Sequence, residues 1–304
     1  MSESRVLPMQ PRRYLGLELA GAKNQKTSLA VLEYYPREQK VFLLDVYDRI
    51  AGHNDQSGDE ALLETITEAT SYERNRTLHQ AVKIGVNVPI ELPPCITCER
   101  RACRTAAGCS EPAAKWMRET ARKAAEASNL DVNVLEVTPY TQRPFEIWAR
   151  YRILPELARD FRFEIDEALG GNRAPLTARM HYLKRHLGDL PIVEVWPKLT
   201  ISTLAQAFGL PKRLIQNYRK PEEGYAARVE LLETIAMKKG VFIYDRDLKK
   251  LGTSLAAFDA FICAYTAVLC DRDMTAKAPR GFPKHSSWVA YFPPAGLAGG
   301  AGRK

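Results

Sequence analysis

Hydrophobic and polar residues alternate along the first part of the chain in the manner of β-strands. We expect strands at residues 14–20, 27–35 and 41–47, joined by short turns into an antiparallel meander. Apolar residues at helical spacing then predict a helix over 58–72, and a further strand is expected at 81–88. This part of the chain therefore predicts a sheet with a helix packed against it.

Apolar residues at helical spacing dominate the rest of the chain, with short strand-like segments between them. Helices are expected at 111–129, through much of 143–187, and at 200–208, 222–239 and 253–270, and strands at 132–137, 192–196 and 288–292. Strands that alternate with helices indicate a mixed-sheet α/β fold. We interpret residues 12–293 as one such domain, with a helical insertion at 143–190 and a flexible tail at 294–304.

Three acidic residues stand out because their neighbours in sequence are apolar. Glu18 shares one strand face with Gly16, which leaves room for a ligand, although a solvent-facing glutamate is the ordinary alternative. Glu194 lies in an otherwise apolar strand and needs a cation, either a metal ion or a basic side chain. Asp259 is the only charged residue of the apolar helix at 253–270, so it is paired, protonated or a ligand.

The order of these acids resembles that of the ribonuclease-H-like superfamily: one on the first strand of a meander, one on a later strand, and one on a buried helix near the C-terminus. More narrowly, the chain is similar to an uncharacterised family of predicted nucleases, known only as a domain of unknown function. The matching segments are residues 14–32, IGVNVPIELP at 84–93, VEVWPKLT at 193–200, AFDAFICAYTAV at 257–268, and residues 287–293.

The resemblance implies a mixed five-stranded sheet with helices on both faces, and acids that hold Mg²⁺ or Mn²⁺ for two-metal hydrolysis of phosphodiester bonds in DNA or RNA. Glu18, Glu194 and Asp259 would be the ligands, together with Asn87 at a position where the family carries aspartate. Because asparagine brings no negative charge, the alternative is a catalytically degenerate module that binds nucleic acid or a protein.

Four of the six cysteines lie close together in sequence, at Cys95, Cys98, Cys103 and Cys109. Their spacing, C-x2-C-x4-C-x5-C, favours a metal site over disulfides in a chain without a visible secretory signal. Four thiolates bind Zn²⁺ tetrahedrally, and the spacing is similar to that of zinc knuckles, which bind single-stranded nucleic acid. An iron–sulfur cluster with a redox or sensor function, and free thiols, are the alternatives. We expect this metal site to occupy an insertion at 89–112.

The net charge is +8, from 44 basic and 36 acidic residues, and the excess is concentrated in residues 95–123. The basic side chains of interest there are Arg100, Arg101, Arg104, Arg118 and Arg122. They either compensate the negative charge of a tetrathiolate metal centre or form a surface for the phosphates of a nucleic acid. Arg118 and Arg122 are four residues apart and therefore share one face of the predicted helix.

Several classes of protein are disfavoured by the sequence. The apolar run at 260–270 is far shorter than the roughly 20 residues that cross a bilayer, so we expect a cytoplasmic protein without a membrane partner. The chain lacks the G-x-G-x-x-G, P-loop and G-x-S-x-G motifs. Their absence argues against dinucleotide-binding, NTPase and α/β-hydrolase functions.

Overall fold

The computed structural model describes residues 10–21, 27–53, 55–74, 76–101, 103, 105–128 and 137–293. The strands are β1 (Arg12–Glu18), β2 (Thr27–Tyr35), β3 (Lys40–Ile50), β4 (Ser71–Arg74), β5 (Thr77–Gln80), β6 (Lys83–Val86), β7 (Ile192–Glu194) and β8 (Val241–Phe242). The α-helices are α1 (Gly58–Thr70), α2 (Pro112–Ser128), α3 (Pro144–Trp148), α4 (Arg173–Lys184), α5 (Pro197–Phe208), α6 (Lys212–Asn217), α7 (Gly224–Lys239), α8 (Asp245–Thr253) and α9 (Leu255–Asp271). The predicted tail at 294–304, and all but the last residue of the strand predicted at 132–137, lie outside the described residues.

Among the described residues, six strands form one mixed sheet in the order β7-β6-β1-β2-β3-β8. β1 pairs with β2 and β2 with β3 in antiparallel fashion, which is the predicted meander, whereas β1, β6 and β7 run parallel to one another. The α/β class with a mixed sheet is therefore confirmed. The sheet has one strand more than the five expected, because the two residues of β8 pair in parallel with β3 at its edge.

Short elements differ most from the sequence prediction. β4 and β5 form a separate two-stranded hairpin directly after α1, where the sequence analysis predicts a helix up to residue 72 and no strand before residue 81. The strand predicted at 288–292 is reduced to a single bridge between Val195 and Ala290. A strand of two to four residues is too short for its alternation to be recognised in the sequence.

Helices cover both faces of the sheet. On one face, Leu17 of β1 joins a buried cluster that includes Leu62 of α1 and Met180 of α4. On the other face, Tyr14 of β1 packs in a cluster with Phe261 of α9. Because neighbouring residues of a strand point to opposite faces, a sheet buried on both faces needs apolar residues at successive positions. This explains why β1 and β2 are nearly continuous apolar runs.

The backbone of α9 lies directly against β1 and β6 because two glycines face it. Gly16 of β1 and Gly85 of β6 are partners in register. A Cβ atom at position 16 would lie 2.1 Å from the carbonyl oxygen of Ala260, and one at position 85 would lie 2.3 Å from that of Cys263. The absence of side chains at both positions therefore allows the backbone of α9 to pack directly against β1 and β6, near the ends of these strands.

The helical insertion predicted at 143–190 is helical mainly towards its two ends. α3 continues into a π-helix at Ala149–Ile153, which ends before Pro155, and α4 begins only at Arg173. Between them, residues 162–172 form neither helix nor strand. Proline lacks the N–H donor that would continue a helix, so Pro155 gives a physical reason for the break.

No single helix among the described residues is long and apolar enough to cross a membrane. α8 and α9 reach the necessary length and composition only as a pair, and the two helices meet at an angle of 116°. Residues Ala257–Leu269 of α9 are all buried within the protein.

Candidate active site

The candidate site lies where β1 and β6 end, on the face of the sheet that contacts α9. Glu18 is the last residue of β1, and Asn87 directly follows β6. Since Gly16 and Gly85 face α9, and every second residue of a strand shares a face, Glu18 and Asn87 face the same side. The side-chain amide of Asn87 donates a hydrogen bond to Glu18 Oε2 at 2.5 Å. The structure thus brings these two sequence-predicted residues into contact.

Asp259 lies on α9, next to the residue that contacts Gly16, and its side chain is 1% exposed. Its Oδ2 accepts a hydrogen bond from Arg219 Nη1 at 2.8 Å. Its Oδ1 is buried and has no hydrogen-bond partner in the part of the chain that the structure describes. Leaving a buried carboxylate oxygen without a donor is unfavourable, so this atom is open to a proton, a water molecule or a cation.

The carboxyl groups of Glu18 and Asp259 influence each other. Burial raises the pKa of Glu18 to about 8, and the negative charge of Asp259 adds to the increase, while Asn87, Arg173 and Arg219 oppose it. Burial also raises the pKa of Asp259, against the opposing charge of Arg219. At neutral pH the Glu18 carboxyl therefore holds a proton, which a nearby cation would displace.

A cavity of about 560 Å³ opens at this site. Glu18 and Asn87 line it together with residues of the segment 163–173, the start of α5 and Arg219. Its basic lining residues are Arg173, Lys198 and Arg219, and its acidic ones besides Glu18 are Glu164, Asp166 and Glu167. Asp259 lies behind this lining, in contact with Arg219. The cavity is therefore polar, and it contains charges of both signs.

The basic residues of the cavity are ones that the sequence alone did not identify. Arg173 donates to the carbonyl oxygen of Asn87 at 2.8 Å and to its Oδ1 at 3.3 Å. It begins α4 after the sequence Gly170-Gly171-Asn172, and a glycine pair before a helix start could have served as the signal. Arg219 after α6 has polar neighbours in the sequence, and Lys198 in the first turn of α5 has mostly apolar ones. Neither residue gives such a signal.

Glu194 does not join the other acids, because it points to the opposite face of the sheet. It is in register with Val86, which is in register with Leu17, and both of these pack against the cluster beneath α1 and α4. Its two oxygens each accept a hydrogen bond from the Arg143 guanidinium at 2.7 Å. The backbone amide of Ile90 donates a second hydrogen bond to Oε2 at 3.2 Å.

The environment of Glu194 is that of a structural ion pair. Trp196 Nε1 donates to its Oε1 at 2.9 Å, so both oxygens have two donors. Although burial alone would raise the pKa of Glu194, Arg143 and these hydrogen bonds hold it below the ordinary range. Of the two cations that the sequence left open, the basic side chain is the one present. We therefore remove Glu194 from the candidate metal ligands.

A second buried acid, Glu146, shares the same arginine. Its Oε1 accepts hydrogen bonds from Arg143 Nε at 2.9 Å and from the amide of Ala168 at 3.1 Å. Burial raises the pKa of Glu146 to about 7, although Arg143 opposes the increase. Since Ala168 belongs to the segment 163–173 that lines the cavity, this cluster fixes one cavity wall to α3 and β7.

The four clustered cysteines lie in a segment without helix or strand among its described residues. All four thiols are free; Cys103 is exposed, and Cys95, Cys98 and Cys109 are half-buried. Burial raises the pKa of Cys95, and the other three thiols add to the increase. Among the described residues, no group of three or more His, Cys, Asp or Glu side chains is already placed to hold a metal ion. The expected four-cysteine site is therefore not preassembled.

The basic residues around this segment differ in their contacts. Arg118 donates hydrogen bonds to the carbonyl oxygens of Ala106, at 2.9 Å, and Cys109, and thereby anchors the cysteine segment to α2. The remaining contacts are Arg100 to Ser110 Oγ at 2.5 Å and Arg122 to Glu126 at 2.5 Å. Arg101 is exposed, and Arg104 lies outside the described residues. Arg118 thus already has structural partners, while Arg100, Arg101 and Arg122 lie at the surface.

Comparison with known proteins gives one match. The profile of a family described as a protein of unknown function, DUF429, matches residues 50–283. The matched range includes Asn87, Asp259 and the four clustered cysteines, whereas Glu18 precedes it. No curated protein and no solved structure matches the chain. Because the match covers well over half of the residues, the protein belongs to the DUF429 family.

Proposed function

We propose that the protein is a divalent-cation-dependent nuclease, which hydrolyses phosphodiester bonds of DNA or RNA in the cavity lined by Glu18 and Asn87. One observation carries the proposal: the half-buried Glu18 lines this cavity, and the buried carboxyl group of Asp259 lies behind the lining near it. Asp259 has an unpartnered buried oxygen, and its charge contributes to the raised pKa of Glu18. Two acids in this state favour a cation near both, because the cation would remove their mutual repulsion.

The residues fit one divalent cation. Mg²⁺ in proteins is commonly held by one or two carboxylates, and water and substrate phosphate provide its other ligands. Glu18 and Asp259 supply two carboxylates, and Glu18 Oε1 receives no hydrogen bond from the described residues. With Glu194 on the other face of the sheet, we propose one Mg²⁺ or Mn²⁺ ion in place of the two that the resemblance implies. To bind it, Asp259 would exchange its contact with Arg219 for the cation.

The side chains of the cavity account for binding of a phosphodiester. A bound cation would supply positive charge that stabilises the phosphoryl oxygens. Asn87 orients Glu18 through the hydrogen bond to Oε2, and Arg173 in turn holds Asn87. Lys198 and the released Arg219 would bind the phosphate. Hydrolysis forms a bond from the water oxygen to phosphorus and breaks the bond to the leaving oxygen. The water loses a proton to solvent, and the leaving oxygen gains one.

The architecture of the sheet supports a ribonuclease-H-like assignment. Without the edge strand β8, the order β3-β2-β1-β6-β7 is a mixed five-stranded sheet of the kind that the resemblance implies. Glu18 lies on the first strand of this sheet and Asp259 on the buried helix near the C-terminus, which is the expected order. Asn87 directly follows β6, the parallel strand beside β1, and contacts Glu18.

The size of the cavity favours an unpaired nucleotide as the substrate. Its volume of about 560 Å³ lies within the range of roughly 300–1,000 Å³ that is typical of small-ligand pockets. This space accommodates one nucleotide of a strand end or a single-stranded region. A base pair with its neighbours would not enter a pocket of this size.

The test is a cleavage assay on labelled single-stranded and double-stranded DNA and RNA, with Mg²⁺, Mn²⁺ or EDTA. We expect cleavage of single strands with Mn²⁺ or Mg²⁺, none with EDTA, and a loss of at least about 100-fold in D259N and E18Q, the range associated with one electrostatic catalytic group. The variant E38Q changes an exposed acid of the turn before β3 and serves as the control. Equal rates for wild type and D259N would exclude a role of Asp259 in catalysis.

The second candidate function is binding without cleavage, and two contacts favour it. The first concerns Asn87, which contacts Glu18 and stands where the resemblance implies an aspartate, and the second is the contact of Arg219 with Asp259, which already neutralises this acid. In that case the protein binds oligonucleotides equally well with Mg²⁺ and with EDTA, and no metal produces cleavage. Binding that weakens steeply with salt would identify phosphate contacts, and neutralising Arg122 would reduce the salt dependence if the surface of α2 takes part.

A further inference from the structure

The segment 87–111 is long for a connection that has no helix or strand among its described residues. Loops of this length inside compact domains are uncommon unless they have a function or are held by a cross-link. Among the described residues, few contacts hold the backbone of its central part, residues 95–109, to the rest of the protein. The amide of Cys95 donates to the carbonyl oxygen of Pro139 at 2.9 Å, and Arg118 binds the carbonyl oxygens of Ala106 and Cys109.

The four thiols of this segment lack covalent partners, although they lie close together in sequence. None of the four is in a disulfide, and none is fully buried as a core cysteine would be, in contrast to Cys263. Thiolates gathered at one place in a loop repel one another. A divalent cation removes this repulsion and binds thiolates strongly, so it is the natural partner for such a group.

Positive charge surrounds the segment. Arg118 contacts the backbone of Cys109, Arg100 contacts the side chain of Ser110, and Arg101 is exposed. A zinc ion with four thiolates has a net charge of −2, and basic side chains close to the ligands stabilise it. The arrangement therefore provides the compensating charge as well as the ligands.

We propose that Cys95, Cys98, Cys103 and Cys109 bind one Zn²⁺ ion and that binding draws the segment 95–109 into a fixed loop. The ligands are not preassembled in the described residues, so the site forms together with the metal, as in other small zinc modules. The two-residue spacing of Cys95 and Cys98 supplies the short chelating turn common in tetrahedral zinc sites. Zinc is favoured over an iron–sulfur cluster because the spacing of the four cysteines is similar to that of zinc knuckles.

The position of the loop suggests what the zinc ion stabilises. A second cavity, of about 370 Å³, lies between the cysteine segment, the start of α2 and residues 283–287. Pro94, Thr97 and Cys98 form its wall on the cysteine side. Zinc binding would fix the loop and give this cavity one defined shape. Without zinc, the cavity wall formed by Pro94, Thr97 and Cys98 would adopt several conformations. The zinc site is therefore structural, and it is separate from the cavity at Glu18.

The test uses the full-length protein purified without chelators and under reducing conditions. We expect one zinc ion per chain by elemental analysis. Removal of zinc should make four additional thiols reactive towards a colorimetric thiol reagent and should speed proteolysis within 95–109. Cobalt added to the zinc-free protein should give the intense visible absorption of tetrahedral thiolate coordination.

Variants assign the ligands. C95S and C109S should lose zinc, whereas C270S, which removes a half-buried cysteine outside the segment, should retain it. D259N should also retain zinc, so failure of the zinc proposal is distinguishable from failure of the proposed nuclease site. The proposal is overturned by protein without zinc that does not bind cobalt, by iron with acid-labile sulfide in its place, or by disulfides among the four cysteines. Because removal of zinc from the wild type gives the same information, misfolding of a variant does not obscure the result.

Discussion

A single residue, Glu194, shows how far the sequence can define the site. Its neighbours Ile192, Val193 and Val195 are all apolar, so both faces of β7 are buried and the pattern does not reveal which face the carboxylate occupies. Its partner Arg143 lies 51 residues away in the chain, in a position that only the tertiary fold determines. By contrast, Glu18 could be placed from sequence because Gly16 marks the face on which it lies. A face marked by a glycine is therefore predictable, and a long-range ion pair is not.

The first prediction at this scale concerns the titration of Glu18. Its pKa rises from an ordinary value near 4.5 to about 8 on folding, so the folded protein keeps a proton that the unfolded chain releases between these values. In the absence of divalent cations, stability is therefore lost as the pH rises through this window. E18Q has no such proton to lose. We expect E18Q to match wild type near pH 4 and to exceed it by about 1–3 kcal/mol at pH 8, measured by urea unfolding.

Parallel pH profiles of wild type and E18Q would show that Glu18 titrates normally. E38Q, with its exposed side chain, provides the baseline for removing one acidic group.

The second prediction concerns the ion pair of Arg143 and Glu194. R143M would leave the Glu194 carboxylate buried without its cation, at a cost of about 3–5 kcal/mol in the free energy of unfolding. R122M removes the exposed arginine of a surface ion pair with Glu126 and should cost less than about 1 kcal/mol. Chemical denaturation at pH 7 measures both. A loss in R143M as small as that in R122M would mean that Glu194 is protonated in the folded protein.

Among the elements, α9 determines the geometry of the site. Its close contact with the sheet depends on the in-register glycines Gly16 and Gly85, and it places Asp259 beside the end of β1. The sequence predicts this helix within two residues at its start and one at its end, because its apolar character leaves no alternative. The sequence does not show that the helix contacts the backbone of two strands. That contact is possible because Gly16 and Gly85 have no Cβ atom.

The third prediction tests this contact. In G16A or G85A the new Cβ would overlap a backbone carbonyl oxygen of α9, so the helix must move as a unit. We expect each variant to lose at least about 2 kcal/mol of stability, near the upper part of the range for overpacked cores. G58A is the matched control, because a Cβ there meets no atom within 4 Å at the start of α1. Thermal unfolding measures the stability of the three variants. Melting temperatures of G16A and G85A equal to those of G58A and wild type would contradict the prediction.

Elements without a clear period account for most of the difference between sequence and structure. The segment 149–172 contains apolar residues at helical spacing, and the sequence therefore predicts helix. The structure has a π-helix at Ala149–Ile153, short 3-10 helices at Leu154–Glu156 and Arg159–Phe161, and irregular backbone over 162–172. Pro155 prevents continuation of the α-helix, and Gly170 and Gly171 interrupt the chain again. This irregular part lines the cavity. The region least predictable from sequence is therefore the one that gives the site its shape.

For the whole molecule, the sheet separates two kinds of acidic site. On the face of α9, Glu18 and Asp259 each have a carboxyl oxygen without a hydrogen-bond donor among the described residues. On the other face, both carboxylate oxygens of Glu194 accept hydrogen bonds from two donors each. The first arrangement is unfavourable without a ligand, and the second stabilises the fold. A net charge of +8 adds a general attraction for polyanions, which the proposed function requires.

The fourth prediction concerns cation binding by Glu18 and Asp259 on the α9 face of the sheet. Binding of Mn²⁺ must displace the proton held by Glu18, so the apparent affinity should rise with pH and level off above about pH 8. If one proton is displaced, the increase approaches tenfold per pH unit below that value. Calorimetric titration in two buffers of different ionisation enthalpy measures both the affinity and the proton release. D259N should bind Mn²⁺ weakly at every pH, and a pH-independent affinity in wild type would argue against Glu18 as a ligand.

The guanidinium of Arg143 bonds two carboxylates, and each of these also accepts one backbone amide from a different part of the chain. Ile90, at the entrance to the cysteine segment, is tied to Glu194, and Ala168, in the wall of the first cavity, is tied to Glu146. Neither amide can reach solvent unless the charge cluster around one arginine opens. Ile90 and Ala168 should therefore exchange their amide hydrogens in the same opening event, so the cysteine segment and the wall of the cavity at Glu18 share one point of attachment.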